Sequence, residues 1–504
     1  VKAVVGFPGL AVEVDGRRLV PELEAALGEV QVRKRLGLPA QAELAFFSAG
    51  AGEGLVPEVG MALRMTVPGR PQPLFEGEVT AVELAYGGDG GLELRVRGYD
   101  LLHRLRKRRP LRAHVEVTVT ELARELVADL GLQVAAAEAG HLRRRILQHR
   151  GSDLTLLAEE AAACGLYAVL RGSTLHLLTL EGEGDPVELD LGGNLLEARF
   201  ELNAEPCCRT VAAAAWDPGR AELHGGRASV PRSGRRVRAE APPARLGSGG
   251  DLTLAGETAA SARQAEALAQ AELDRRSAGE VVLRGVAEGD PRLDPGRPVE
   301  VAGVAADFRG RYVVTAVEHR VGAEVGFVSR IDTAPPAAPR RRTAAAAAWG
   351  TVSQVDDPEG LGRIKVALPA YGELESDWME VVCAAAGDGK GLILLPDVGD
   401  QVLVLLVAGD PASGVVLGGL YGSRQPPDAG VDGASVERYT LLGPGGERLL
   451  LDAGKHRARL ENGRGSSLDI APGRVRLHAA TDLVLEAPGR RVLIRGEAID
   501  FERA

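Results

Sequence analysis

The chain has 504 residues, too many for one hydrophobic core, so several domains are expected. Its formal net charge of −10 argues against a phosphate backbone as main partner, and the absence of an apolar run of eighteen residues excludes a membrane-spanning helix. Aromatic residues make up only 4% while glycines number 65, a mixture that implies many short strands and turns around cores of Ala, Val and Leu.

The start, VKAVVGFPGLAVEVDG, has an early proline and acidic residues and does not read as a signal peptide. Residues 1–110 read as a β-domain, with an Asp15-Gly16 hairpin turn and two strands around the glycine-rich loop of LFEGEVTAVELAYGGDGGLELRVRGYD. The basic run RLRKRR at 104–109 reads as a solvated helix end rather than a nucleic-acid patch. The period then changes over 111–195, an α+β module. Its first helix has a Thr118–Glu121 capping box, an inward face of Val119, Leu122, Ala123, Leu126 and Leu130, and Gly131 at its end. The second starts at Ser152-Asp153, turns Leu154, Leu157, Ala158 and Ala161 inward and stops at Gly165, and LYAVLRGSTLHLL follows as a hairpin.

Residues 196–335 return to strands, except for one helix with Ala265, Leu268, Ala269 and Leu273 as its apolar stripe and Gly279 as its expected cap. A Pro/Arg/Ala linker occupies 336–347. Residues 348–424 hold short apolar strands, WGTVSQVD, GRIKVAL, WMEVVCAA, GLILLP, QVLVLLVAG and GVVLGGLYG, which suggest a small closed OB-like barrel. Over 425–504 apolar pairs alternate with charged residues: Leu468/Ile470, Val475/Leu477, Leu483/Leu485, Val492/Ile494 and Ile499/Phe501. The pairs recur in steps of 7, 8, 9 and 7 residues. Such a ladder of short strands cannot bury its own apolar face and needs neighbours.

Signatures of chemistry fail residue by residue. Gly389-Lys390 lacks both the Ser/Thr and the first glycine of a P-loop, since Gly391 and Ala384 stand in those places, and no HExxH, GxSxG or EF-hand loop occurs. The nine histidines form no HxH or HxxxH pair, Glu318-His319 lies in a strand where a structural role is expected, and Ser152-Asp153 reads as a helix cap. Cys164, Cys207, Cys208 and Cys383 have no CxxC spacing and read as free thiols of a reducing compartment. The barrel carries four basic and eleven acidic residues, a balance of −7 and the wrong sign for single-stranded nucleic acid. No catalytic, cofactor-binding or metal-binding residue is therefore assigned.

The barrel sequence closely resembles the OB-fold of Vgr proteins and phage baseplate spikes. The matching residues are Asp357-Pro358-Glu359-Gly360-Leu361-Gly362-Arg363 with Lys365-Val366, Pro396-Asp397-Val398-Gly399-Asp400, Gly409-Asp410-Pro411 and Gly418-Gly419-Leu420-Tyr421. Residues 1–335 resemble the hub half of the same proteins through GYDLLHRL at 98–105, Gln148 with Ser152-Asp153, and GDPRLDPGRPVEV…GRYVVTAVEH. The resemblance implies a mainly β chain with an α+β insertion: a hub of two β-barrel-like domains, 1–110 and 196–335, then the OB-fold barrel at 348–424 and an intertwined trimeric β-helix or prism at 425–504. Three copies of two barrels would form a six-unit ring that adapts a three-fold spike to a six-fold tube.

In that prism the trimer-axis residues would be Leu468, Ile470, Val475, Leu477, Leu483, Leu485, Val492, Ile494, Ile499 and Phe501. No room is expected for a lysozyme domain between barrel and prism, nor is an enzymatic tail expected beyond it. His456 and His478 are not paired as in an iron-binding tip, so a separate PAAR-type tip protein is expected at the C-terminal end. The resemblance thus implies a non-enzymatic homotrimeric hub–spike of a contractile injection system, made in the bacterial cytoplasm and carried in a phage tail-like particle. It would join tail-tube and baseplate proteins, carry possible effector cargo, bind no nucleic acid and meet a membrane only as a pierced target. A type VI secretion Vgr protein and a contractile phage spike are the alternatives within the class, and an envelope-degrading hydrolase is the alternative outside it.

Overall fold

The computed structural model describes residues 9–47, 57–86, 92–217, 220, 222–246, 249–337 and 345–502. The chain divides into two compact units, Val1–Leu420 and Tyr421–Ala504.

The first unit is organised by an 11-stranded sheet. At one edge Ala11–Val14 turns into Arg17–Arg18 through Asp15 and Gly16, both left-handed at φ 48° and 72°, as a two-residue hairpin requires. The Asp15 carboxylate also accepts the Ala62 N–H. Strands Pro73–Tyr86 and Leu92–Tyr99 pair antiparallel, while their connecting loop, 87–91, lies outside the described residues. Strand Leu27–Arg35 pairs with Ala316–Gly322, with Val32 opposite His319, so segments far apart in sequence share one sheet.

Two cores lie behind that sheet. One gathers Val14, Val30, Leu44, Phe46, Met65, Phe75 and Val96; the other gathers Leu195, Leu283, Val299, Val301, Tyr312 and Ile331. Strand registers place Glu43, Arg95, Glu83, Arg33, Glu318, Arg320, Arg330 and Arg284 together on the other face. Ion pairs such as Arg95–Glu43 and Arg320–Glu318, each at 3.4 Å, lace that face.

The α+β module packs two capped helices over Leu166, Leu175 and Leu177. In Val119–Val127 the Thr118 hydroxyl accepts the Glu121 N–H and the Glu121 carboxylate accepts the Thr118 N–H, the reciprocal box read from sequence. Ser152 caps Asp153–Ala163 by accepting the Thr155 N–H. The long helix Ala262–Glu280 departs from expectation: it runs through Gly279 and ends one residue later. Its last turn is fixed by the buried Glu280 carboxylate, which pairs with Arg209 and Arg235 and accepts the Ala241 N–H. Leu268, expected on the buried stripe, is only half-buried, whereas Gln264, Glu272 and Asp274 are buried. Polar pairing therefore seats this helix as much as apolar contact does.

The linker read at 336–347 has its middle, 338–344, outside the described residues. Beyond it, six strands are ordered Leu374–Glu375, Lys365–Leu368, Ala346–Gln354, Gln401–Leu406, Gly414–Leu420 and Glu380–Val381. An Ile364–Met379 bridge links the entry to the Lys365–Leu368 strand with the entry to Glu380–Val381 and closes the barrel around Val352, Val366, Leu368, Val402, Val404 and Val416. GLILLP does not enter this barrel. Only Lys390–Leu392 is strand, in a hairpin with Ala384–Gly387, and every residue of both strands is exposed. Leu392, Ile393, Leu394 and Leu395 all stay exposed, outside every core among the described residues.

The second unit opens with a small hairpin, Val431–Asp432 with Ser435–Val436, and continues as a meander of five antiparallel strands: Arg438–Leu442, Arg448–Asp452, Arg457–Glu461, Ser467–Ala471 and Arg474–His478. Residues 479–502 form no helix or strand within one chain, although their apolar alternation continues. Short strands gain their hydrogen bonds from neighbouring strands, and among the described residues past His478 none pairs with another strand.

Candidate functional site: an uncovered apolar sheet face

The meander's register aligns its apolar residues into two uninterrupted rows. One runs Tyr439, Leu451, Ala458, Ile470, Val475; the other runs Leu441, Leu449, Leu460, Leu468, Leu477. The nine large side chains among them are between 36% and 69% exposed. Strand alternation accounts for this, because RYTLL, RLLLD and RVRLH each place two apolar residues on the same side.

The opposite face is mostly polar, and its charges are largely paired. Arg457 grips Asp469 with two hydrogen bonds of 2.6 and 2.7 Å, and Arg459 meets Glu461 at 2.7 Å. Asp428 accepts from Arg438, Thr440, Arg448 and the Gly430 N–H. The Arg438 guanidinium, with the Gly430 N–H and the Thr440 hydroxyl, holds the Asp428 carboxyl well below the usual carboxylate range. Leu450, Asp452 and Asp469 on this face are buried. A sheet normally hides its apolar side and wets its polar side; here the order is inverted. An exposed apolar surface of this extent marks an interaction face.

Leu483, Leu485, Val492, Ile494, Ile499 and Phe501 are likewise exposed, Phe501 by 90%. Asp428 escaped the sequence reading because its partners Arg438 and Arg448 lie ten and twenty residues away with no motif between them.

The barrel's signature residues assemble a loop rather than a catalytic centre. Asp357 accepts the backbone N–H groups of Glu359, Leu361 and Arg363, and pairs at 2.7 Å with the Arg363 guanidinium, both side chains buried. Gly360 and Gly362 take φ of 68° and 71°, which lets the loop curl around that carboxylate, and Pro358 lies within it. Asp400 accepts the Asp397 N–H and Gly399 sits at φ 87° in the turn before the Gln401 strand. Asp410 accepts the Ala412 N–H next to Gly409 and the buried Pro411, while Gly418 and Gly419 lie in the last barrel strand and Tyr421 is exposed. Arg220 joins Glu359 at 2.9 Å and Arg145 donates to the Glu375 carbonyl at 2.6 Å, fastening barrel to hub.

Candidates for nucleophilic chemistry are locked or inert. Cys164 contacts His141 at 3.5 Å, but burial pushes the thiol up to about 11 and the imidazole down to about 4, so neither ionises near neutrality. Asp153 is held by Arg112 and Gln148, and His319 hydrogen-bonds Ser329 with burial lowering its imidazole to about 3. Among the described residues no three His, Cys, Asp or Glu side chains group as a metal site, and no helix is long and apolar enough to cross a membrane.

A curled hub sheet with an α+β insertion, an OB barrel and a five-stranded meander make a Vgr-like hub–spike fold. Residues 348–421 match the type VI secretion system/phage-baseplate injector OB domain. Residues 40–323, more than half of the chain, match the Alg8 N-terminal domain, and the chain belongs to that family. Among solved structures, an Escherichia coli type VI secretion component described as similar to the bacteriophage T4 tail proteins gp27 and gp5 aligns with TM-score 0.53 and 13% identity, covering 81% of this chain and 99% of that one. A chain of the half-lidded Francisella PdpA–VgrG complex aligns with TM-score 0.52 and 7% identity over 93% of this chain and 87% of that one. At these identities the shared property is the fold. No curated protein matches the sequence.

Proposed function

We propose that the protein is the structural hub–spike of a contractile injection machine and acts as a homotrimer. The observation that carries this is the inverted meander, whose apolar rows are bare while its polar face is paired. Three copies winding around one axis cover those rows, with Leu468, Ile470, Val475, Leu477, Leu483, Leu485, Val492, Ile494, Ile499 and Phe501 turned toward it. Ten such side chains at roughly 1.5–3 kcal/mol each form an ample upper bound for assembly.

The resulting prism pierces the target envelope when the sheath contracts, and the hub sits at the centre of the baseplate against the tail tube. A PAAR-type tip protein caps the C-terminal end, effector cargo rides with the spike, and the particle is assembled in the bacterial cytoplasm. The segments 1–110, 111–195 and 196–335 serve as the hub, 348–424 as the barrel and 425–504 as the spike, joined at 336–347. The role is mechanical rather than enzymatic. A free tail-like particle, a type VI Vgr protein and a phage spike share this mechanism, and neighbouring genes separate them.

Light scattering on the full chain beside a chain ending near Gly430 tests the reading. A trimer that is loosened or lost on truncation supports it; a monomeric, cooperatively folded full chain overturns it.

A further inference from the structure

The barrel carries two apolar surfaces that its own chain leaves open. One is an arm, residues 382–400, anchored at both ends in barrel strands and exposed almost throughout. It displays Leu392, Ile393, Leu394, Leu395 and Val398, each 43–74% exposed. A lone two-stranded hairpin is marginal in water, so an arm this apolar needs a surface to lie on. The second is the outer side of three adjacent barrel strands. There Trp349, Leu405 and Leu417 are exposed, with Leu403 and Val415 half-buried between them.

We infer that the arm of one copy seats on the Trp349/Leu405/Leu417 face of the next copy, making a second, head-to-tail contact in the trimer. This rests on the trimeric reading above and extends it to the barrel. A second copy is the occupant because the two surfaces differ in shape, one protruding and one a sheet face. A three-fold assembly is closed by contacts of that unlike kind, each copy giving its arm forward and receiving one from behind. Reach agrees: the limb from Val382 to Asp388 spans at most about 23 Å, enough for a neighbouring barrel but not for a distant partner. The arm does not fold back on its own chain's face, since both surfaces stay exposed together.

The test uses the full chain with Cys207→Ser and Cys383→Ser, so that only the buried Cys164 and Cys208 remain as native thiols. Leu394→Cys and Leu405→Cys are introduced singly and together and treated with a short bismaleimide. The pair yields covalent dimers and trimers, with the trimer as the largest product, while neither single variant cross-links. Trimers by light scattering in which the pair stays unlinked overturn the arm contact and leave the spike reading standing. Linking by a single variant overturns the head-to-tail arrangement. A monomeric full chain overturns both readings.

Discussion

Asp357 and Arg363 carry opposite full charges with side chains only 3% and 1% exposed. Asp357→Ala removes that pair and the acceptor of three loop N–H groups, while Glu359 stays 3.3 Å from the guanidinium, so a loss of about 2–3 kcal/mol is expected in the first unit, read as a lowered denaturant midpoint of the full chain. The same pairing fixes a sign with pH. The Arg363 guanidinium holds the Asp357 carboxyl well below its ordinary range, so its stabilisation is present above about pH 4 and fades as pH falls further. Asp100 behaves oppositely: burial pushes its carboxyl up to about 7, even though the Ala40 and Leu102 N–H groups donate to it. Its contribution is complete below about pH 4 and lost as pH rises through about 7. Midpoints measured from pH 4 to 8 should therefore fall more steeply for the native chain than for Asp100→Asn. The stretch around Asp357 was marked in the sequence only as a resemblance to the OB-fold of Vgr proteins, which did not foretell its buried ion pair. The burial of Asp100 was not legible either, because it is set by strands that sequence does not place side by side.

Among the elements, those with local signals were legible and those fixed from afar were not. Thr118 and Glu121 lie three residues apart and announce a helix start. Thr118→Ala should cost about 1 kcal/mol, visible in the same denaturant titration. Glu280, by contrast, finds Arg235 and Arg209 across 45 and 71 residues, and these hold the helix open past the glycine that sequence takes for its end. The pairing of Leu27–Arg35 with Ala316–Gly322 is equally remote, which hides the 11-stranded sheet behind two apparently separate β segments. GLILLP was misplaced for a related reason: alternation and apolarity mark a segment that wants cover without saying whose surface provides it.

For the whole molecule, alternation marked the strands Ser467–Ala471 and Arg474–His478, and the structure extends their apolar rows back to Tyr439, Leu441, Leu449, Leu451 and Leu460. The pairs from Leu483 to Phe501, expected as strands, lie in none. Val475→Asp together with Leu477→Asp places two charges in rows proposed to face the axis. The expected outcome is a rise of at least tenfold in the concentration at which half the protein is trimeric, measured by sedimentation. The native chain's thermal midpoint should also climb with protein concentration, as it does whenever folding and association are coupled. The inverted meander has a consequence for how the protein must be made. During translation the hub and barrel emerge before the meander, with cores of their own, whereas the greasy rows come out with nothing in their own sheet to shield them. Newly made chains are thus in a race between finding two siblings and clumping indiscriminately. Synthesis of several copies along one messenger, which keeps them close, would decide the yield of usable spikes.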